Sequence, residues 1–364
     1  MVNQSEKSRK VIFISTTESD YSRSGNYFNY IKYNNQFNFS IFQLKGSKLN
    51  VIKQLFIINR NLFSINDIYF IMSPSHYLIL FLRVLSRNKI ILDAGWPLSD
   101  ATARKEKNIF SGSFSYIKSF TIDLIAFHLS SKIIVESKRQ KKHVESTFYI
   151  SAKKLEVVYT GFNELNYNNS ENIYSCKLGN LCFCTTNKSQ FRLFFRGKYN
   201  EESGLRLLAK ISNEINLSED YKLIVLAYGL KTNLNFSPHV TVVTDFLKIN
   251  EMAHLYNESE LVFGQLSEND RLKRTIPHKA FESAYFSKAY LSPKTASLNE
   301  IFDFTSEIIE LQEISENGLI ERIQECRFNR GNIKVIGNNM NRKYNQLLNQ
   351  KLLGQEVCRI IRNA

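Results

Sequence analysis

Short runs of β-branched and aromatic residues recur along the chain, separated by longer segments of helical period, and this alternation limits the possible folds more than any other feature. Up to Gly161 the runs are "KVIFIS", "FNFSIFQL", "DIYFIM", "KIILDA", "KIIVES" and "LEVVYTG". From Phe191 they resume as "FRLFFRG", "YKLIVLA", "HVTVV", "ELVFGQ", "KAYLS" and "SEIIEL". Most are continuously apolar rather than alternating, which predicts strands covered on both faces. Strands linked by helices in turn predict parallel, doubly wound α/β sheets. Between Asn163 and Ser189 the pattern lapses into "NELNYNNSENIYSCKLGNLCFCTTNKS", as expected of a connection between domains. A length of 364 residues also exceeds what one core usually organises. The predicted organisation is a Rossmann-like domain over 1–165, a second over 185–340, and an amphipathic helix over 341–364 packing back toward the first.

The composition, 43% hydrophobic and 23% charged, is that of a soluble globular protein. Lys and Arg outnumber Asp and Glu by 48 to 34, a net +14, so the surface should attract an anion: nucleic acid, anionic lipid or a phosphorylated small molecule. A nucleic-acid-binding protein is disfavoured, because there is no helix-turn-helix, zinc-finger or ribonucleoprotein signature and the cations are dispersed. Cys176, Cys182, Cys184, Cys326 and Cys358 lack zinc-site spacing and read as reduced cytosolic thiols, and the six histidines are equally scattered. The apolar run in "MVNQSEKSRKVIFIST" is too short for a signal peptide or membrane span, and "HYLILFLRVLSRNKIIL" is broken by Arg83, Arg87 and Lys89.

Two stretches bear chemistry. In "LFFRGKYNEESGLRLLAKI" a strand is expected to end at Arg196, with a turn at Gly197 and Lys198 following. In an open parallel sheet these cations would stand at the carboxyl edge of the strands, where ligands bind, able to hold a diphosphate; solvated surface cations are the alternative. In "IPHKAFESAYFSKAYL", Pro277 suits the first turn of a helix, Lys279 lies near its N-terminus and Glu282 about one turn in. A helix N-terminus favours bound phosphate, and a carboxylate one turn in can accept hydrogen bonds from the vicinal hydroxyls of a ribose. A carboxylate that only complements the helix dipole is the competing reading.

Taken in order, these stretches resemble a GT-B glycosyltransferase of the family-4 type, the bacterial enzymes that assemble O-antigen, capsular polysaccharide and lipopolysaccharide. "RGKYNEESGLRLL" is similar to the family's Gly-Arg…Glu-Lys-Gly segment, "HLYNESELVFGQ" to its Tyr-x-x-Ala-Asp segment, and "IPHKAFESAYFSKAYLS" to its Pro-x-Lys-x-x-Glu segment. "KIIVESKRQKKHVESTFYISAKKLEVVYTGFNE" resembles the end of its N-terminal domain. The resemblance implies two Rossmann-like domains facing across a cleft, and transfer of a hexose from a nucleotide-diphosphate sugar, with retention. It implies a donor site of Arg196, Gly197, Lys198, Lys279 and Glu282, without cofactor or metal. Two positions depart from the pattern: Ser203 replaces a usual lysine, and Arg274 stands where the first of the family's paired glutamates would fall. Arg274 is then expected to add a cation to the phosphate site.

The N-terminal domain is expected to hold the acceptor. "KIILDAGWPLSD" places Asp93 directly after a strand, as general base or sugar-hydroxyl acceptor, with Trp96 nearby; an Asp capping the next turn is the plainer reading. "ESDYSRSGNYF" reads as a loop after the first strand, offering Arg23 as an anion contact that joins Asp93 and Trp96 in the acceptor site, and Gly25 as a close-approach position toward the donor. "SKRQKKH" suits an anionic leaflet, which fits a cytoplasmic protein peripheral to the inner face of a bacterial membrane with a lipid-linked saccharide acceptor. The alternatives are a GT-B-shaped sugar-nucleotide epimerase and a non-enzymatic basic polyanion-binding protein.

Overall fold

The structure is a computed structural model describing residues 10–17, 22–61, 67–102, 109–164, 189–199, 203–215, 219–229, 234–245, 247 and 249–364. Most of the expected connection, with Cys176, Cys182 and Cys184, lies outside the described residues. The chain divides into two compact units, one of residues 1–163 and 350–364, the other of residues 164–349.

In the first unit the apolar runs form β1 (Lys10–Ser15), β2 (Asn38–Gln43), β3 (Ile68–Ile71), β4 (Lys89–Gly95), β5 (Lys132–Val135) and β6 (Leu155–Val157), all parallel in the order β2-β1-β3-β4-β5-β6. Between them run α1 (Ser22–Tyr33), α2 (Lys48–Asn61), α3 (Leu78–Leu85), α4 (Leu98–Thr102), α5 (Ile109–Leu129) and α6 (Lys138–Phe148). β1, β3 and β4 have almost wholly buried side chains because both sheet faces are covered. On one face Leu55, Leu82, Phe127 and Val144 pack down from α2, α3, α5 and α6. On the other, Tyr27, Phe28 and Ile31 of α1 meet Val357, Ile360 and Ile361 near the C-terminus.

The second unit repeats the plan. β7 (Phe191–Lys198), β8 (Tyr221–Tyr228), β9 (Thr241–Val243), β10 (Leu261–Phe263), β11 (Ala289–Ser292) and β12 (Ile309–Glu310) form a parallel sheet in the order β12-β11-β10-β7-β8-β9. Its helices are α7 (Leu205–Ile211), α8 (Ile249–Glu258), α9 (His278–Tyr285), α10 (Glu316–Phe328) and α11 (Arg330–Leu347). Both units are Rossmann-like, as the strand pattern predicts.

Four local expectations are corrected. Asp93 does not follow its strand but lies within β4, paired with Ile134. "ESDYSRSGNYF" is not a loop throughout: from Ser22 it is α1, so Arg23 and Gly25 stand in a first helical turn. β7 runs through Gly197 to Lys198, pairing Gly197 with Ala227, so the chain does not turn at Gly197. The C-terminal amphipathic stretch is not one helix from 341. It breaks after Leu347 and resumes as α12 (Gln350–Arg362), which belongs to the first unit and packs on α1.

Candidate functional site

In the second unit, β7 and β10 lie side by side with their carboxyl ends together, and α9 starts soon after β10. Pro277 precedes α9 as its N-cap, lacking an amide hydrogen where none is needed. Glu282, in the second turn of α9, is 1% exposed. A buried carboxylate must be compensated, and three side chains do so. Arg196 Nη1 from β7 lies 2.7 Å from both carboxylate oxygens, the Tyr256 hydroxyl from α8 donates to Oε2 at 2.6 Å, and His278 Nδ1 lies 3.0 Å from Oε1. Burial is the largest influence on this carboxyl and opposes ionisation, but Arg196, His278 and the hydrogen bonds outweigh it and hold the pKa down to about 2. The Tyr256 ring is itself fixed, stacked on Phe286 at 5.1 Å and edge-on to Phe194 at 5.1 Å.

The other expected donor residues divide. Lys279 is buried, its ammonium donating to the Gly264 carbonyl at 2.6 Å and lying 3.9 Å from the Phe195 ring centroid. Burial, then the Arg196 guanidinium, push its pKa well below the usual lysine value. It therefore braces the turn after β10 rather than offering a solvated cation to phosphate. Lys198 ends β7 exposed. A Cβ on Gly197 would meet only the Phe195 ring, at 3.7 Å, an ordinary contact. Arg274 closes the short 3-10 turn Asp270–Lys273, its amide donating to the Arg271 carbonyl at 2.8 Å. One glycine whose geometry is required here is Gly204, with φ +69°, where a Cβ would fall 2.3 Å from the Leu266 carbonyl oxygen. It lets the turn into α7 pass directly against the segment after β10.

The first unit has its own polar cluster at the carboxyl end of β4. Asp93 is fully buried; Arg23 Nε donates to one oxygen at 2.8 Å and the Tyr27 hydroxyl to the other at 2.7 Å. Burial and Asp93 raise the Tyr27 pKa well above its usual value, so the hydroxyl remains a donor. Arg23 also reaches Thr160 Oγ1 at 3.2 Å, and Asn26 donates to the Thr160 carbonyl, tying α1 to the segment after β6. Gly95, at φ +64°, leaves room for the Arg23 side chain, whose Nε would sit 3.3 Å from a Cβ there. Arg23 Nη2 is buried with no hydrogen-bond partner among the described residues. Asp93 thus presents no oxygen that is not already bonded. Gly25 is buried in α1, and Trp96, half-buried, follows β4.

The sequence groups Arg196 with Glu282, and Arg23 with Asp93, as candidates, and the fold brings the members of each pair into contact. It misses Tyr256, His278 and Tyr27 as partners. Tyr256 is the tyrosine of "HLYNESELVFGQ", so the residue is flagged although its contact is not. Among the described residues, no group of three His, Cys, Asp or Glu side chains could hold a metal ion.

No family model and no curated protein matches the chain. Solved structures do match in fold. HepE from Anabaena in complex with UDP-glucose superposes with a TM-score of 0.69 at 12% identity, over 98% of this chain and 100% of that one. Sucrose-phosphate synthase from Thermosynechococcus elongatus gives 0.71 at 9% identity over 98% of each chain. A glycosyltransferase from Rickettsia africae gives 0.66 at 12% identity over 98% of each. At these identities the likeness establishes the fold: the chain has the GT-B architecture of two Rossmann-like domains.

Proposed function

We propose that the chain is a nucleotide-sugar-dependent glycosyltransferase whose second unit binds the donor diphosphate and ribose around Arg196 and Glu282. The observation that carries this reading is the buried, ionised Glu282 clamped by Arg196, Tyr256 and His278 at the carboxyl edge of a parallel sheet, where open α/β sheets take their ligands. The UDP-glucose complex of HepE, on the same fold, supports the ligand class. His278 is the most exposed of the side chains that hold Glu282, so its place on the carboxylate is the one that ribose hydroxyls take. Arg196 and exposed Lys198 then face the diphosphate, and Arg196 stabilises the charge that develops on it as the sugar leaves.

In the first unit, Asp93 holds Arg23 in place rather than abstracting a proton, and the unsatisfied Nη2 of Arg23 is the group available to an anion. The proposed acceptor is a lipid-linked saccharide of a surface polysaccharide, with retention at the transferred carbon. No helix among the described residues is long and apolar enough to cross a membrane, and the proposed attachment is peripheral, at a cytoplasmic leaflet. α2, α3 and α5 are neighbours on one face of the first sheet and expose Phe56, Ile57, Leu80, Val84, Phe114 and Ile117 beside Lys53 and Lys118. α6, on the same face, exposes Lys138, Arg139 and Lys142. Arg83, half-buried on α3, is held in place by its guanidinium, which donates to the carbonyls of Asn88 and Leu129.

Calorimetric titration of UDP and GDP tests the donor site. Glu282→Gln and Arg196→Ala should each weaken nucleotide binding roughly tenfold or more, the expected cost of losing a hydrogen bond to a charged group. Wild-type binding that neither substitution weakens would sink the assignment. Turnover of a nucleotide sugar without acceptor would favour an epimerase instead.

A further inference from the structure

The carboxyl edge of the second sheet is not its only polar concavity. At the opposite, amino-terminal edge, a cavity of about 540 Å³ lies beside the starts of β7 and β11 and the first turn of α11. Its cations are Arg192, Lys288, Arg330 and Lys334, and its lining carboxylate is Glu260. Glu260 is already engaged: Oε2 accepts from the Arg192 amide at 3.0 Å and from Arg192 Nε at 3.3 Å, while Arg330 Nη1 lies 3.6 Å from Oε1. Arg192 Nη1 also takes up Glu258, at 3.2 Å.

The two arginines therefore absorb both nearby carboxylates, and the two lysines are left over. Lys288 Nζ donates only to a neutral group, the Asn257 carbonyl, at 2.7 Å. Lys334 is exposed, with no hydrogen bond or ion pair among the described residues. Four cations against Glu258 and Glu260 leave the rim positive, and burial together with Arg192 and Lys334 lowers the Lys288 pKa. α11 adds to this field: it starts at Arg330 with no side-chain hydrogen bond from its N-cap, and Gly331 in its first turn leaves the backbone open to the cavity. Helix N-termini favour anions, tetrahedral oxyanions in particular.

We infer that this cavity is a second binding site, for a phosphomonoester-type dianion held by Lys288, Lys334 and the N-terminus of α11. The volume admits a small phosphorylated molecule and not merely an ion. The site stands independently of the donor assignment, since it lies at the opposite edge of the sheet and shares no residue with the Arg196–Glu282 cluster. A free metabolite and a lipid phosphate headgroup would present the same group.

The test uses the full chain. Inorganic phosphate and glycerol 3-phosphate are titrated calorimetrically, and co-sedimentation with phosphatidic acid vesicles forms the second arm. Lys334→Glu, at an exposed position, and Lys288→Gln should each weaken binding at least tenfold in the arm that binds. They should leave UDP affinity unchanged, whereas Arg196→Ala should spare the phosphate site. Saturable binding of the soluble esters identifies a metabolite site, and lysine-dependent binding of vesicles alone identifies a headgroup site. No binding in either arm, or binding that neither lysine substitution weakens, overturns the inference.

Discussion

Glu282 shows how much of a fold's stability can rest on one buried charge. Its folded pKa lies near 2, below the ordinary carboxylate value, so the folded state releases its proton more readily than the unfolded state does. The resulting stabilisation is fully present above the unfolded pKa and is lost as pH falls from about 4.5 toward 2. A depression of this size corresponds to something on the order of 3 kcal/mol. Glu282→Gln removes it at every pH, so the stability difference between wild type and variant should be largest near neutrality and shrink through that acid window. Urea unfolding followed by circular dichroism at a series of pH values checks this; a pH-independent difference would contradict it. Tyr256→Phe should show a smaller cost, about 1.5–3 kcal/mol, because it removes one hydrogen bond to a charged acceptor. Sequence alone could not supply this pairing energy. Arg196 and Tyr256 are respectively 86 and 26 residues from Glu282, and such separations become contacts only once β7, α8 and α9 are assembled around β10.

At the scale of elements, legibility follows burial. The strands were readable because a strand covered on both faces must be continuously apolar, and β3 and β10 are, while β4 is apolar from Ile90 to Leu92. α1 was not, because Ser22, Ser24, Gly25 and Asn26 resemble a turn; its helical signal, buried Tyr27, Phe28 and Ile31, begins only after them. The division of the C-terminal stretch was also hidden, since Leu348 and Asn349 carry no strong breaker. What seats α12 is Gly354. A Cβ there would fall 2.3–2.5 Å from Cδ1, Cγ and Cβ of Tyr30, atoms too near the backbone to swing aside. Gly354→Val should therefore push α12 off α1 and expose Val357 and Ile361, destabilising the first unit by about 1–3 kcal/mol or more, as overpacking of a filled contact does. Thermal unfolding together with limited proteolysis near residue 350 would report it. Unchanged melting and protection would mean that the two helices do not pack as described.

For the whole molecule, the net charge of +14 acts at long range, while adhesion to a surface needs apolar contact as well. The first unit carries both: cations on α6, and an apolar face on α2, α3 and α5 that includes Val84 at 79% exposure and Phe114 at 73%. Juxtamembrane cations contribute roughly 1 kcal/mol each at an anionic leaflet and are screened by salt, whereas a buried large aliphatic side chain contributes about 1.5–3 kcal/mol and is not. The two contributions can therefore be separated. Co-sedimentation with phosphatidylglycerol vesicles should weaken as salt rises but persist in part at high ionic strength. Ile117→Asp or Val84→Asp should remove the salt-resistant fraction, each lowering the partition coefficient by about tenfold or more, while leaving the UDP binding proposed for the second unit unchanged. Binding indifferent to both salt and these substitutions, or no binding to anionic vesicles at all, would rule out this face as the membrane contact and leave the lipid-linked acceptor without support.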